Sequence, residues 1–449
     1  MSLNTSLIGH WKLTGDCKDY SGNGNHGQNH GADLTATGPD GGTNGAAGFN
    51  GRSASIEVPN SDSLTLGDGD FSISVRVHTE EELDTILGDI LSKYDPESRT
   101  GFNFSLMNHA GVTAAQSNHR HVHFGIDSGQ TGEWIDCGRP GNNLRVYSLT
   151  VFEGDLYAGT FETGADEAGH LYRYAGGAEW IDCGSPDKCN TTASLAVYKG
   201  HLYVGSSRYK AGGSALPESE NQNPGGNMYR YEGGSEWTSI GHLEGADSVA
   251  GMAVYKGQLY AIPLYSQGVF RYDGGDTWTH CGGPGKRMMS LSVFNGHLYA
   301  GTLPLGQVYR YEGGDTWTLT GQLDKTPDVK YRRVWSMAVF QGKLFGGTLP
   351  SGHVYSLEAG KSVTHDCELA PGWRHLTAIR DGDKLKLYVD GALVATSSAF
   401  NPADYTLSNN RPLKIGSGQH SAFNGRIRNL CIYNRALTDP EITELNGLS

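Results

Sequence analysis

The sequence predicts an all-β protein built around a repeated four-stranded unit, and three observations support this prediction. Residues 290–321, SLSVFNGHLYAGTLPLGQVYRYEGGDTWTLTG, divide into four short strand-like stretches separated by glycine-containing turns. Near-copies of this segment follow one another with a period of about 40 residues. The 449 residues include 65 glycines, 23 tyrosines and 8 tryptophans, a composition typical of turn-rich β-structure. Four strands at this period predict the blades of a β-propeller.

The number of blades follows from counting the individual strands. The third strand recurs as HLYRYAGG, NMYRYEGG, GVFRYDGG, QVYRYEGG and HVYSLEAG, and the fourth as EWIDCG (twice), EWTSIG, TWTHCG and TWTLTG. The earliest fourth strand, which contains Trp134, precedes every first strand, so it can complete the last blade, which contains Val339. We therefore predict a five-bladed propeller over residues 130–364. Six blades are the alternative, if 362–367 is also a blade strand or if the Trp134 strand belongs to an incomplete extra blade.

The two ends of the chain carry motifs that belong together. LIGHWKLTGDCKDYSGNGNHG, GFNGRSASIEV and DFSISVRV occur before residue 129, and GWRHLTAIRDGDKLKLYVDGALVATS and FNGRIRNLCIYNRALTDPEI occur after residue 364. Together they resemble the opening strands, the hairpin and the closing strand of the laminin-G/concanavalin A-like jelly-roll family. The resemblance implies one β-sandwich formed by residues 1–129 and 365–449. The predicted fold is therefore a jelly-roll β-sandwich with an inserted β-propeller.

The turn DYSGNGNHG near the start is a candidate metal site. In the laminin-G-like family this turn often helps to hold a calcium ion, and Asp19 and Asn23 would then supply hard oxygen ligands. The same residues can instead stabilise an Asx-type turn by bonding to the backbone. Relatives usually carry an Asp-Glu pair in the closing strand, where this chain has Arg428 and Asn429. The resemblance thus implies Ca²⁺ in the sandwich, with an Asx-type turn as the alternative.

The lengths of the loops distinguish two faces of the predicted propeller. The turns between first and second strands (EGD, KGH, KGQ, NGH, QGK) are tight, so we expect their face to be smooth and inert. The opposite face carries long loops, where rigid scaffolds place function. Cations and aromatic residues concentrate there, which favours an anionic glycan because Arg grips carboxylates and Tyr or Trp stacks on sugars. Solvated rim charges and packing of inner strands are the alternative. The predicted ligand-binding residues are Arg145, Tyr147, Arg208, Arg287, Tyr331, Arg332, Arg333 and Trp335.

The same face offers residues for acid–base chemistry. Tyr209, Tyr265 and His170 are candidates for moving protons, and the face also carries the carboxylates Glu162, Asp166, Glu167 and Asp247. No spacing singles out a pair, because propeller sites assemble residues from different blades, so catalysis stays open. By contrast, the Arg, Tyr and Trp residues that recur in the third and fourth strands of the blades indicate a structural role.

Composition narrows the classes of partner and location. The formal net charge of −13 disfavours nucleic acid, although a local basic face does not exclude it. No apolar run approaches the ~20 residues of a transmembrane helix. The start, MSLNTSLIGHW, has no basic or apolar region of a signal peptide, although a chain that had lost its signal would look the same. The type of domain favours a secreted or cell-surface protein.

Cysteine and histidine give weaker signals. The seven cysteines make an odd number, and only Cys183 and Cys189 lie close enough in sequence to suggest a disulfide. His119, His121 and His123 alternate on a predicted sandwich strand, which places three imidazoles on one face. That arrangement is a candidate metal site or, more simply, a polar face of the sheet.

Three functions from different classes fit these features. We favour a carbohydrate-binding protein that recognises an acidic polysaccharide at the loop-rich face. The first alternative is a polysaccharide lyase or glycoside hydrolase acting at the same face. The second is a protein-interaction scaffold, which would normally expose more aliphatic area than these Arg-, Tyr- and Trp-rich loops do.

Overall fold

Strands dominate the computed structural model, which describes residues 3–81, 88–109, 118–210, 218–264, 268–285, 287–294, 297–303, 307–322, 333–349, 352–419 and 421–447. These residues contain 35 β-strands, three 3-10 turns (Leu3–Ser6, Asp62–Leu64 and Pro402–Asp404) and one α-helix. The all-β prediction is confirmed. Within these ranges no helix has the length and apolar character needed to cross a membrane.

The first nine strands build one part of a β-sandwich. Alternate side chains point inward, as Phe71, Ile73, Val75 and Val77 do in one strand, because successive residues of a strand face opposite sides. The strands are β1 (Leu7–Trp11), β2 (Gln28–His30), β3 (Asp33–Ala36), β4 (Ala46–Asn50), β5 (Ser55–Val58), β6 (Phe71–Thr79), β7 (Gly88–Asp95), β8 (Thr100–His109) and β9 (Asn118–Thr131).

The next twenty strands form five four-stranded antiparallel units, which we number 1 to 5, and the pairing of Phe161 with Thr191 joins units 1 and 2 into one eight-stranded sheet. The first strand, β10 (Ile135–Asp136), belongs to unit 5. Unit 1 contains β11 (Arg145–Phe152), β12 (Asp155–Phe161), β13 (Leu171–Gly176) and β14 (Glu179–Asp182). Unit 2 contains β15 (Thr191–Tyr198), β16 (His201–Ser207), β17 (Asn227–Gly233) and β18 (Glu236–His242). Unit 3 contains β19 (Val249–Tyr255), β20 (Gln258–Pro263), β21 (Phe270–Gly274) and β22 (Thr277–His280). Unit 4 contains β23 (Arg287–Phe294), β24 (His297–Leu303), β25 (Gln307–Gly313) and β26 (Thr316–Gln322). Unit 5 adds β27 (Arg333–Phe340), β28 (Lys343–Leu349) and β29 (Val354–Leu357).

The remaining strands return to the sandwich. The helix that follows them buries Ile442 and Leu445 in a small apolar cluster with Tyr388 and Tyr433. These elements are β30 (Ala359–His365), β31 (Gly372–Asp381), β32 (Lys384–Val389), β33 (Ala392–Thr396), β34 (Leu413–Ile415), β35 (Asn424–Tyr433) and α1 (Asp439–Gly447).

Both sheets of the sandwich mix strands from the two ends of the chain. One sheet has the order β3-β4-β35-β6-β31-β32-β33, with β1 beside β35, and the other has the order β2-β5-β34-β7-β8-β9-β30. The core lies between them, where the ring of Phe71 on β6 contacts Phe102 and Phe124 on the facing sheet, with centroid distances of 5.6 and 5.9 Å. The N-terminal and C-terminal segments therefore form one structure.

Strand β30 belongs to the sandwich. It pairs with β9 from Ala359, opposite Thr131, to His365, opposite Val122. The boundary predicted between residues 364 and 365 therefore falls inside this strand, and the sandwich resumes at residue 359. The same pairing removes the reason for a sixth blade at 362–367. The alternating pattern at 362–367 predicts a strand, but it does not reveal with which distant strand that strand pairs.

Unit 5 combines strands from both ends of the inserted segment. Strand β10 pairs with β29, with Ile135 opposite Ser356 and Asp136 opposite Tyr355. The sequence prediction that the strand beside Trp134 completes the unit containing Val339 is confirmed.

Neighbouring units pack side by side in the order 5, 1, 2, 3, 4. Each of the four described contacts contains an apolar cluster shared by two units. In the contact between units 1 and 2, for example, Phe152 and Leu171 of unit 1 meet Leu195 and Val204 of unit 2. Burial of apolar side chains between neighbouring units therefore stabilises this part of the chain.

A repeated tryptophan adds a hydrogen bond between units. Its ring also packs on the Tyr of the preceding strand, with ring centroids 4.9 to 5.1 Å apart in units 1 to 4. In three units the indole N–H donates to a backbone oxygen of the preceding unit. These bonds join Trp180 to Cys137 at 2.9 Å, Trp278 to Ile240 at 2.8 Å and Trp317 to Cys281 at 3.2 Å.

The repeated arginines pair with nearby carboxylates, as expected of structural residues. Arg230, Arg271 and Arg310 each contact the carboxylate two residues further on, at 2.7 Å. In unit 1 that position is alanine, and Arg173 instead pairs with Asp155 at 3.2 Å. These pairs are partly exposed, so each contributes little to stability.

All seven cysteines are free thiols. Cys183 and Cys189, whose spacing suggested a disulfide, are both buried and unbonded to each other. Burial raises the pKa of the Cys183 thiol, which keeps it protonated in neutral solution.

The tryptophan contact gives a paired test. Replacing Trp278 by Phe should lower the free energy of unfolding by about 1 kcal/mol, because the bond to Ile240 is lost while most ring packing is kept. The same change at Trp237 should be neutral or stabilising, because its indole nitrogen is buried without a hydrogen-bond partner in the described part of the chain. Urea unfolding of both variants measures the difference, and equal losses would contradict the assignment.

Candidate functional site

The loop face of the units lies opposite their tight first turns. In unit 1 that turn is Glu153 and Gly154, whose φ angles of 49° and 85° are those of a two-residue hairpin turn. At the other end of the same unit, Arg145 begins β11 and Phe161 ends β12, while Tyr209 follows β16 of unit 2. The strand directions therefore place these three residues on the loop face.

Tyr209 is the centre of an aromatic cluster on this face. Its ring meets Phe161 and Tyr147 edge-on, with centroids 5.3 and 5.6 Å apart. The Arg145 guanidinium lies 3.7 Å from the centre of the Tyr147 ring and 4.5 Å from that of Tyr209. Tyr209 also packs against the apolar cluster shared by units 3 and 4. We call Arg145, Tyr147, Phe161 and Tyr209 the Tyr209 cluster.

Asn190 fixes the backbone of Tyr209. Its side-chain oxygen accepts from Tyr209 N at 2.8 Å, and its side-chain amide donates to Tyr209 O at 3.0 Å. Thr191 Oγ1 donates to the same Asn190 oxygen at 2.8 Å. Asn190 is fully buried. Sequence analysis missed this residue because an asparagine in a loop ahead of a strand gives no signal of what it will bond.

Burial separates the predicted ligand-binding residues of the cluster. Arg145 and Tyr147 are 0% and 2% exposed, whereas Tyr209 is half-buried. Arg145 and Tyr147 therefore lie beneath Tyr209 and support its ring, and only Tyr209 among them presents surface to solvent. This corresponds to the packing role that sequence analysis considered as the alternative for the inner strands.

Arg208 is next to Tyr209 and is held by an acidic neighbour. Its Nε lies 3.2 Å from the Asp247 carboxylate, and its backbone N donates to Asp247 O at 2.9 Å. Both side chains remain partly exposed, at 27% and 30%. The negative charge of Asp247 therefore offsets the positive charge of Arg208, which a count of the cations on this face does not take into account.

His170 has a partner that recurs elsewhere in the repeats. Its Nδ1 lies 2.8 Å from the Asp182 carboxylate, and its ring stacks on Tyr172. In unit 5, His353 makes the same contact with Asp136, at 3.0 Å. A pair repeated in two units indicates a structural role in joining the third and fourth strands, separate from the Tyr209 cluster.

Glu162 is a buried carboxyl on the loop face. It is 6% exposed, and burial raises its pKa to about 8, an effect increased by the Glu167 carboxylate and opposed by Arg139 and a hydrogen bond from Thr160. The acid is therefore mostly protonated at neutral pH. The groups that act on Glu162, namely Glu167, Arg139 and Thr160, do not belong to the Tyr209 cluster.

A segment of unit 2 covers this carboxyl. Ser219 Oγ donates to Glu162 O at 3.3 Å, and Asn221 Nδ2 donates to Glu167 O at 2.8 Å and to Lys188 O at 2.9 Å. These bonds attach the loop between β16 and β17 to unit 1, which explains how Glu162 becomes buried.

The other predicted site residues cannot be placed in this arrangement. Tyr265, Tyr331 and Arg332 lie outside the described residues. The side chains of Arg287, at the start of β23, and of Arg333 and Trp335, in β27, also lie outside the description. Their assignment to the loop face stays a prediction.

Hydrogen bonds within the turn reach both carboxylate oxygens of Asp19. One Asp19 oxygen accepts from His10 N and Ser21 N, and the other accepts from Ser21 Oγ and Asn25 N, all at 2.8 to 2.9 Å. Although burial raises the pKa of Asp19, these bonds outweigh it and lower the pKa below its usual value. The Asn23 amide donates to Ser21 Oγ at 3.1 Å. The arrangement fits an Asx-type turn, and a calcium ion held by Asp19 and Asn23 stays a prediction.

The alternating histidines of β9 are also held in place within the fold. His121 is buried, which lowers its pKa to about 3, and His119 lies 3.3 Å from Glu368. Within the described ranges, no group of three His, Cys, Asp or Glu residues has the arrangement needed to hold a metal ion.

Comparison with known families identifies one segment. Residues 345–443 match the model Laminin_G_3, described as the concanavalin A-like lectin/glucanases superfamily. This segment contains the C-terminal strands of the sandwich and begins within unit 5. No curated protein sequence matches the chain.

Solved structures resemble the chain only distantly. The binding domain of Paraclostridial Mosquitocidal Protein 1 is 11% identical with a TM-score of 0.35, over 99% of this chain and 52% of that one, so this chain spans about half its length. Domain 4 of the arabinanase AbnA from Geobacillus stearothermophilus, in complex with arabinotriose, is 13% identical with a TM-score of 0.32, over 98% of both chains. Virginiamycin B lyase from Staphylococcus aureus is 8% identical with a TM-score of 0.33, over 67% of this chain and 99% of that one. Likeness at this level carries no argument about function.

The hydrogen bonds of Asn190 predict that the stability of the folded chain depends on this side chain. Replacing Asn190 by Ala should lower the free energy of unfolding by about 2 kcal/mol, because buried polar groups around Tyr209 lose their partners. Asn142→Ala, at an exposed position on the same face, should change it by less than about 0.5 kcal/mol. Chemical denaturation measures both. An equally small effect at Asn190 would show that the Tyr209 backbone is held by other contacts.

Proposed function

We propose that this chain is a carbohydrate-binding protein that recognises an acidic polysaccharide at the loop face of a closed five-bladed propeller formed by units 1 to 5. The observation that carries the proposal is the Tyr209 cluster, in which a partly exposed aromatic ring is fixed in place where several units converge. The match of residues 345–443 to a superfamily of lectins and glucanases supports carbohydrate as the class of ligand.

The chemistry of the cluster suits a sugar that carries a carboxylate. A tyrosine ring presents an apolar face against which a pyranose can stack, and its hydroxyl can hydrogen-bond. The partly exposed guanidinium of Arg208 lies beside it, 3.2 Å from the Asp247 carboxylate, and its exposed N–H groups can donate to a ligand carboxylate. The buried cation of Arg145 adds positive potential directly beneath the ring.

The sequence-predicted cations and aromatic residues extend this surface in the proposal. Units 4 and 5 would contribute them to the same loop face. The residues concerned are Arg287, Tyr331, Arg332, Arg333 and Trp335.

Binding of polygalacturonate by the full chain tests the proposal. Tyr209→Ala should weaken binding about fivefold, because stacking on an aromatic ring contributes roughly 1 kcal/mol. Arg208→Gln should weaken binding and reduce its dependence on salt, since one exposed cation is removed. Calorimetry at low and at physiological ionic strength measures both effects.

A charge-matched control tests whether binding depends on the loop face or only on the net charge of the protein. Arg271→Gln removes the same charge from β21, the third strand of unit 3, where Arg271 pairs with Asp273, and should leave binding unchanged. Equal weakening by Arg208→Gln and Arg271→Gln would mean that net charge, and no particular surface, governs binding. No binding to polygalacturonate, or to neutral dextran as a second probe, would favour a protein-interaction scaffold.

A second candidate function is glycoside hydrolysis, which the buried carboxyl of Glu162 specifically favours. A carboxylic acid that stays protonated at neutral pH can donate a proton to a leaving oxygen, and an ionised neighbour such as Glu167 can complete a carboxylate pair. If the chain is a hydrolase, residues 218–223, which cover Glu162, would have to move to admit the substrate.

Hydrolysis makes its own prediction. If the chain cleaves a polysaccharide, Glu162→Gln should lower kcat at least about 100-fold while leaving binding intact, because a general acid contributes that much to the rate. Activity should also fall as the pH rises through about 8, where the Glu162 proton is lost. Assays of new reducing ends measure both, with the exposed Glu179→Gln as control. Full activity in Glu162→Gln would exclude this residue as the acid.

A further inference from the structure

The tight turns of the units contact the sandwich, contrary to the expectation that their face is inert. In unit 1, Gly154 N donates to Asp366 O at 2.9 Å. In unit 5, Gln341 N donates to a carboxylate oxygen of Asp366 at 2.9 Å, and Gly342 N donates to Thr364 Oγ1 at 3.0 Å. One short segment at the end of β30 therefore holds the turns of two units.

The contact with unit 5 is closely packed. Gly342 has a φ of +70°, and a Cβ built on it would overlap the backbone oxygen of Ser362. Any side chain at this position would push the turn away from β30. The turn is thus shaped to approach the sandwich backbone.

A second contact lies further along the same face. Tyr198 and Lys199 of unit 2 and Gly257 of unit 3 line a small cleft together with His119 and Arg120 of the sandwich. The sandwich therefore meets tight turns from four of the five units.

The carboxyl of Asp366 is almost completely buried in the first contact. It is 8% exposed and also accepts a hydrogen bond from Thr364 Oγ1 at 2.6 Å. Burial raises the pKa of Asp366 to about 6, although the bonds from Thr364 and Gln341 oppose the shift. Asp366, Gly154 and Gln341 line a cleft of about 550 Å³ that is open on one side, so protons can reach the carboxyl from solvent.

Other charged groups surround this contact. Lys343 of unit 5 and His365 of β30 line the same cleft. Glu153 and Asp155 flank the turn of unit 1. Burial raises the pKa of the neighbouring Cys367 thiol, and the negative charges of Asp366, Glu153 and Asp155 raise it further. Burial lowers the pKa of His365, so protonation of His365 opposes docking in acid and acts against any effect of Asp366.

We propose that Asp366 makes the attachment of the inserted units to the sandwich dependent on pH, so that the two parts are held together more tightly in mildly acidic than in neutral solution. When the contact opens, water returns the Asp366 carboxyl to its ordinary pKa near 4. The closed state therefore holds a proton that the open state releases between about pH 4 and pH 6. Its stabilising effect is fully present below about pH 4 and is lost as the pH rises through about 6.

Hydrogen exchange on the full chain measures the opening. After correction for intrinsic exchange rates, the equilibrium constant for opening at the amides of Gly154, Gln341 and Gly342 should be about tenfold smaller at pH 5 than at pH 7. In Asp366→Asn, which keeps an acceptor for Gln341 N without a titrating proton, this dependence should disappear. Comparing the two chains cancels the contribution of His365, which both retain.

Two further measurements make the outcome decisive. Asp383→Asn, which removes an exposed carboxyl elsewhere on the sandwich, should keep the pH dependence of the unaltered chain. If Asp366→Asn does not fold, a carbon-13 titration of the Asp366 carboxyl in the unaltered chain replaces it, and a midpoint near 6 is expected. A midpoint near 4, opening that does not change between pH 5 and 7, or unchanged pH dependence in Asp366→Asn would overturn the proposal.

Discussion

The antiparallel pairing of β9 with β30 is the constraint on which the rest of the structure depends. It places Thr131 opposite Ala359, so the segment 132–358 must leave the sandwich and return to it at one place. The entropy cost of such a closed loop grows only slowly with its length. The inserted segment meets the constraint by taking its first strand, β10, and its last three, β27 to β29, into one unit, which brings its two ends together.

The same constraint divides the two faces of the inserted units. The short turns lie towards the sandwich and bond to it through backbone groups, as at Gly154 and Gln341. The long loops lie at the other end of the strands, where Tyr209 meets side chains from several units. A ligand bound at the loop face would therefore contact residues of the units without displacing the sandwich, and the two parts could serve recognition and attachment separately.

Much of the fold could be predicted from the sequence because its signals are local. Two-residue turns, alternating apolar residues and a repeated Trp and Tyr define strands within about ten residues, and they also revealed the strand that completes unit 5. The partner of β30 could not be predicted, since pairing with β9 is a contact across the whole inserted segment. For the candidate site, only the location could be predicted. The burial of Arg145 and the hydrogen bonds from Asn190 to Tyr209 depend on residues that are distant in the sequence.

The composite unit and the paired β9 and β30 have a consequence for synthesis on the ribosome. Units 1 to 4 each contain strands that are consecutive in the chain, so each sheet can form soon after it emerges. Strand β9, by contrast, is made long before β30, and β10 long before β29. Until residue 365 has been translated, the 14-residue strand β9 keeps an unpaired edge, a known starting point for aggregation. Folding of the units during translation would bring these edges closer together before β30 is complete.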